Sequence, residues 1–328
     1  MLTLFRTNQA VANIIVLAYL FIIRFSLFTH AFAWNPDNAN AGVPSLWIFQ
    51  FMSRYGINPA LLSLALIFVQ AFYINLMYRN YRATQEVTLL PGVFYALAAS
   101  LIPEFMNLSP ILLANTFLLL AIENVYSIYR ANDCADKIFN IGFCIGIAST
   151  FQFSFTMFLV AFFVGLTIMR GFRLNEFLMF FIGFFIPHML LSVYMFWTNQ
   201  LPFMIQNIKD NLGFFSVQMH HEQWASLKML LVGILITLVL VTSGMLYSKR
   251  NVTAQKYVSI LYWVLFAAIG TILMQSNIGL QHLLILSVPL GILLSFCLQS
   301  INSNTTEMVH LLIVVAALLL QYQHILLR

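Results

Sequence analysis

Ala10–Ala33, AVANIIVLAYLFIIRFSLFTHAFA, runs directly into Trp34-Asn35-Pro36-Asp37-Asn38, the first long polar interruption of the chain. As a helix the apolar run is about 36 Å long at 1.5 Å per residue. That is enough to cross a hydrocarbon core of about 30 Å. Ala31-Phe32-Ala33 has the form of a signal-peptidase site, but the run before it far exceeds the roughly 7–15-residue apolar core of a signal peptide. The expectation is an uncleaved first span. Beyond it lie Gly42, Pro44 and a short amphipathic run, Leu46–Tyr55, so the chain leaves the bilayer and stays near its surface.

The rest of the chain repeats this alternation. It is 61% hydrophobic and 8% charged, with 32 phenylalanines, against about 25% charged residues in ordinary soluble domains. A soluble core could not bury that much apolar surface, so lipid must act as solvent for most of it. The expectation is an all-α polytopic transmembrane bundle forming one integral membrane domain, 1–328. About eleven spans are placed at 10–33, 58–78, 88–103, 108–127, 138–151, 153–169, 176–198, 227–247, 257–275, 279–299 and 309–327. Ile138–Met169 would be about 48 Å as one helix, too long for a single crossing. Ser149, Thr150, Gln152 and Ser154 mark the expected turn within it.

Loop charges orient the bundle. With the N-terminus cytoplasmic, ten basic residues fall inside (Arg6, Arg79, Arg82, Arg130, Lys137, Arg170, Arg173, Lys249, Arg250, Lys256) and four outside (Arg54, Lys209, Lys228, Arg328). This asymmetry follows the positive-inside rule. The net charge of +5 is spread in ones and twos, which excludes a phosphate-tracking patch and with it a nucleic-acid partner. Cys134, Cys144 and Cys297 have no metal or disulfide spacing. Phosphate-binding glycine loops, nucleophile elbows and zincin motifs are absent too. No metal and no cofactor are expected.

Chemistry is therefore sought at the outer ends of the spans. Asp37, on a short loop at the membrane face, is placed to act as a general base towards a hydroxyl; alternatively Asn35-Pro36-Asp37-Asn38 is an Asx-type turn. Glu104 sits in the tight apolar turn Pro103–Pro110, where an ionisable group is a functional candidate or starts the fourth span through the helix dipole. Arg24 lies about 13 Å inside the outer end of the first span. It can snorkel outward or pair with an acid at that depth, Asp37 or Glu104. His282 opens the tenth span in Gly279-Leu280-Gln281-His282 and is a candidate phosphate contact, as is Arg54 of the outer amphipathic run. His188, after Pro187, reads as a hydrogen-bonded bundle residue. Adjacent His220-His221 do not share a helical face, which argues against a metal pair.

Two resemblances follow from particular segments. Tyr126-Ser127-Ile128-Tyr129-Arg130, Lys137–Phe143, Ile145–Ser149 and Arg170–Glu176 make residues 84–200 resemble an uncharacterised family of multi-pass inner-membrane proteins of Bacteroidetes. More broadly, three features resemble fold-C membrane glycosyltransferases that use polyprenyl-phosphate sugars. They are Asp37 after the first span with an amphipathic segment behind it, a proline-marked turn leading to a small-residue helix (Gly142, Gly146, Ala148), and Gln281-His282-Leu283-Leu284 before Val288-Pro289-Leu290. That resemblance implies Asp37 as base, Glu104 as a second acid, and Arg24, His282 and Arg54 as contacts for the lipid phosphate. The first loop lacks that group's usual acidic pair, and no large outer domain follows.

The expected function is thus a glycosyltransferase-like protein acting at the outer face of the bacterial inner membrane. Its expected partners are membrane lipids and a polyprenyl-phosphate sugar. The alternative is a non-catalytic subunit of an envelope glycan or secretion system, bound to other envelope membrane proteins. A transporter or lipid flippase ranks third, because polar residues gather at span ends and no internal repeat is visible. Convergence of Asp37, Glu104, Arg24 and His282 on one groove is the geometric expectation of the enzyme reading.

Overall fold

A computed structural model describes residues 10–29, 34, 41–81, 88–131, 133–211, 224–244, 251–275, 279–301 and 303–323. The chain is all-helical, with no strand among the described residues. Among the described residues seven helices are long and apolar enough to cross a membrane: Pro59–Asn80, Pro110–Ser127, Phe153–Arg170, Leu174–Trp197, Val252–Leu273, Leu280–Gln299 and Asn304–Gln321.

Helix starts are written locally. Asn58 accepts from the backbone N–H of Ala60 at 2.9 Å, with Pro59 at the first helical position of α4 (Pro59–Asn80). Ser109 accepts from Leu112 N–H at 3.2 Å ahead of Pro110 in α6 (Pro110–Ser127). Both are polar caps followed by a proline whose missing N–H would have had no helical partner.

The four remaining expected spans are shorter helices. α1 (Ala10–Ile23) breaks at Arg24 and resumes for one turn as α2 (Ser26–Thr29). α5 (Leu90–Ala98) has nine residues, about 13 Å of helix, less than half of a hydrocarbon core. α7 (Ala135–Phe151) ends where Gln152 turns extended, and a 3-10 segment, Phe153–Met157, leads into α8 (Phe158–Arg170). That turn falls within the polar run where it was expected. α11 (Ala225–Val241) has 17 residues. Two further short helices, α3 (Val43–Tyr55) and α10 (Leu201–Asn211), flank α9 (Leu174–Trp197). The chain closes with α12 (Val252–Leu273), α13 (Ser287–Gln299) and α14 (Ser303–Gln321).

Packing in lipid has no hydrophobic drive between helices and relies on close backbone approach. The α7–α9 crossing does this with glycine on both sides. A Cβ on Gly142 would overlap the Phe180 carbonyl, one on Gly146 the Phe184 carbonyl, and one on Gly183 the Phe139 carbonyl. The outward face of α9 is apolar: Leu178, Ile182, Phe185, Met189 and Val193 are each more than half exposed. These follow helical spacing and form one exposed apolar stripe, as expected of a face turned to lipid. α5 is the opposite case. All nine of its residues are buried, lodged between α4 and α13.

Candidate functional site

α1 stops at Ile23, and Arg24 turns its side chain wholly inward, 0% exposed. A guanidinium has five N–H donors, and here each has an acceptor. Nε donates to Ser100 Oγ at 2.8 Å; Nη1 donates to Ser63 Oγ at 2.9 Å and to the Met106 carbonyl at 3.2 Å. Nη2 donates to the carbonyls of Ala99 and Phe105, both at 2.8 Å. The neighbouring backbone is held in turn by Gln321, which donates to the Ser100 carbonyl at 2.8 Å and accepts from Ser26 Oγ at 2.9 Å.

This corrects the expected role of Arg24. Neither snorkelling nor an ion pair with Glu104 occurs, and its donors are spent on neutral oxygens, leaving none for a lipid phosphate. The physical reason is the ragged backbone from Ala98 to Ser109. Short α5 and a 3-10 turn, Pro103–Phe105, leave carbonyls without helical donors, and in a water-free interior these need partners.

Glu104 lies on that 3-10 turn, one residue before Phe105, whose carbonyl Arg24 holds. It does not start α6; Ser109 does. Its Oε1 pairs with the ammonium of Lys228, a side chain 0% exposed in the first turns of α11. Its Oε2 is buried with no hydrogen-bond donor among the described residues. Lys228 was counted with the outer loop, whereas the structure places it inside. The signal for it was a lone lysine in the apolar run Ala225-Ser226-Leu227-Lys228-Met229-Leu230-Leu231.

His282 belongs to a 3-10 segment, Leu280–Leu286, that packs against the Glu104 turn and touches α11. The ring is 1% exposed, and Nδ1 lies 2.8 Å from the Gly279 backbone nitrogen. It therefore closes the first turn of its own segment, which differs from the open mouth expected for it. Arg24, Glu104 and the His282 segment thus come together around one turn, with Lys228 as the added member.

A polar seam continues inward from this turn. Gln70 donates to the Leu112 carbonyl at 2.9 Å and to Thr116 Oγ1 at 2.7 Å, and accepts from the Tyr95 hydroxyl. Asn115, wholly buried, reaches towards the Leu284 carbonyl at 3.4 Å. Glu123 takes its hydrogen bond from Tyr73.

The other candidates are dispersed. Arg54 is exposed near the end of α3, whose main packing is on α7. Asp37 and His220-His221-Glu222 lie outside the described residues. His188 is a bundle residue: Nδ1 lies 3.2 Å from the Phe184 carbonyl and Nε2 3.2 Å from Ser149 Oγ. Beside it is a recess of about 20 Å³ bordered by Gly42, Thr150 and Met204, room for one water. Among the described residues no three His, Cys, Asp or Glu side chains are grouped to hold a metal.

Chemically, the Glu104 turn offers a half-buried carboxylate with Oε1 paired to an ammonium and a buried Oε2 that has no donor among the described residues. Such an oxygen can take a proton from a hydroxyl brought within hydrogen-bonding reach. No family model, no curated protein and no solved structure matches the chain.

Proposed function

We propose that this chain is a glycosyltransferase-like protein of the bacterial inner membrane, with its N-terminus in the cytoplasm and about eleven membrane-embedded segments in a fold-C-like bundle. It acts at the outer face on a polyprenyl-phosphate-linked sugar. The relatives proposed for it are the uncharacterised multi-pass inner-membrane proteins of Bacteroidetes, from which no activity is carried over.

The observation that supports this reading is the Glu104–Lys228 pair. Charge inside a membrane bundle is costly and marks function more often than not. This pair leaves a buried carboxylate oxygen unfilled among the described residues. In the proposed reaction the acceptor hydroxyl gives its proton to Glu104 and attacks the sugar carbon, and the lipid phosphate leaves with the electron pair of the broken bond. Arg24 holds the turn in place; Asp37, the base implied by the resemblance, yields that role to Glu104 here and is kept as the second acid, with Arg54 as a lipid-phosphate contact.

The second reading, a non-catalytic subunit of an envelope assembly, is favoured by the saturation of Arg24. A guanidinium built so completely into the scaffold serves the fold and no substrate.

Glu104→Gln and Asp37→Asn distinguish them, since each keeps shape and removes charge. Membranes bearing each variant, with insertion verified by protease mapping, would be assayed for sugar transfer from labelled polyprenyl-phosphate donors. Loss of transfer in either variant supports the enzyme. Intact envelope glycan in both variants leaves the subunit reading.

A further inference from the structure

α3 and α10 are about 20 Å and 17 Å long by helical rise, too short to cross a bilayer, and they are joined to each other and to the bundle. Asn207 of α10 donates to the Ala41 carbonyl at 3.1 Å, just ahead of α3. Val43, Met195 and Met204 form a small buried cluster linking α3, α9 and α10. Gly42 N–H and Ser45 Oγ both donate to the Phe151 carbonyl, at 2.8 and 2.9 Å, which fixes the start of α3 on the end of α7.

The level of this pair is set by α9. Its 24 residues make about 36 Å of helix, so its last turn, Tyr194–Trp197, reaches a membrane boundary. Trp197 there is 85% exposed. Trp47 of α3 meets Tyr194 edge-on, ring centroids 5.4 Å apart, so α3 lies at that boundary. Trp47, Phe51 and Tyr55 then follow at i, i+4 and i+8, all exposed, with Phe51 and Tyr55 in ring contact at 4.5 Å. Next to this stripe Gln50 and Arg54 are exposed, and Ser53 lies to the far side.

An uncovered aromatic ladder continuous with the exposed apolar stripe of α9 is a surface for lipid. We infer that α3, braced by α10, lies flat in the headgroup layer of the bilayer. Trp47, Phe51 and Tyr55 sit at the glycerol level, and Arg54 extends to lipid phosphates. Aromatic rings with a polar edge favour that depth, and a cation flanking an apolar face is the pattern of interfacial helices. α10 exposes Gln206, Lys209 and Asp210 together with Phe203 and Ile205, and it braces α3 through Asn207 and Met204.

The test uses full-length protein in phosphatidylcholine–phosphatidylglycerol nanodiscs. Spin labels go at Phe51→Cys or Ser53→Cys with the three native cysteines replaced. The ratio of oxygen to nickel-chelate accessibility should be higher at 51 than at 53, because an interfacial helix buries its apolar face among the acyl chains. Equal ratios overturn the inference. A label at 51 shielded from both reagents also overturns it, because a second copy or another protein then covers the ladder. If the cysteine-free background fails to fold, lipids brominated near the glycerol provide the second measurement. Trp47→Phe in the native background should lower the quenchable tryptophan fluorescence, and an unchanged quenchable fraction counts against the proposal.

Discussion

Arg24 Nη2 and the carbonyl of Phe105 meet at 2.8 Å, joining the end of the first helix to the turn that carries Glu104. This single bond stands for five, all to neutral oxygens. Arg24→Lys keeps the charge but has only three donors, so at least two buried acceptors lose their partners, at about 1–3 kcal/mol each. Ser63→Ala removes one acceptor and leaves one buried guanidinium N–H unpaired, at about 1–3 kcal/mol. Thermal unfolding in detergent should rank Arg24→Lys below Ser63→Ala. Equal melting temperatures would mean that the nest does not hold the turn.

The Glu104–Lys228 pair calls for a double-mutant cycle. Lys228→Met alone leaves a half-buried carboxylate without its counter-charge, a loss below the roughly 3–5 kcal/mol of a fully buried pair. Adding Glu104→Gln should recover most of that stability, since no charge then remains to be solvated. Additive losses in the double variant would show that the two side chains are not coupled.

At the α7–α9 crossing, Gly142→Ala sets a methyl against the Phe180 carbonyl, and overpacking of this kind costs about 1–3 kcal/mol. Gly165→Ala is the matched control. Its Cβ would meet Ile260 and Val125 at 3.7 Å, ordinary contact, and alanine gains up to about 1 kcal/mol of helix propensity. The expected result is a lower yield of folded, detergent-stable protein for Gly142→Ala and an unchanged or higher yield for Gly165→Ala.

Cys134 lies just before α7, and burial pushes its thiol above the ordinary range while the nearby Arg170 charge opposes that shift. A raised pKa means less thiolate at any pH below it, and thiolate is the reacting species. In a protein retaining Cys134 alone, maleimide labelling at neutral pH should be slower than at an unfolded cysteine. It should still be rising with pH where the unfolded thiol has levelled off. Labelling that levels off at or below the ordinary thiol range would contradict the burial.

Seven long apolar helices were legible because their hydrophobic runs exceed any soluble alternative. α5 was not, since Leu90–Ala98 is as apolar as a span and hydropathy does not distinguish burial in protein from burial in lipid. Arg24 was legible as an oddity, but three of its five acceptors are backbone carbonyls, which carry no residue signature. Its partner was sought among acids for that reason. Lys228 stood at the second position of the span placed at 227–247 and was read with the outer loop; the helix begins at Ala225, which carries it into the bundle. The turn at Gln152 and the bundle role of His188 were readable because polar residues interrupting apolar runs need local partners. Asp37 lies outside the described residues.

The sheltered half-helix α5 also dictates an order of assembly. Tyr95 packs against Gly291 with no room for a side chain there, yet the ribosome makes residue 291 long after residue 95, about 10 to 40 s later at 5–20 residues per second. Through that interval α5 is too short to span the bilayer and lacks one of its walls. The insertion machinery, or a temporary neighbour, has to shelter it until α13 emerges. Truncation before residue 287 should therefore leave a nascent chain that crosslinks to the insertion apparatus through position 94, a crosslink that disappears once the last helices are made.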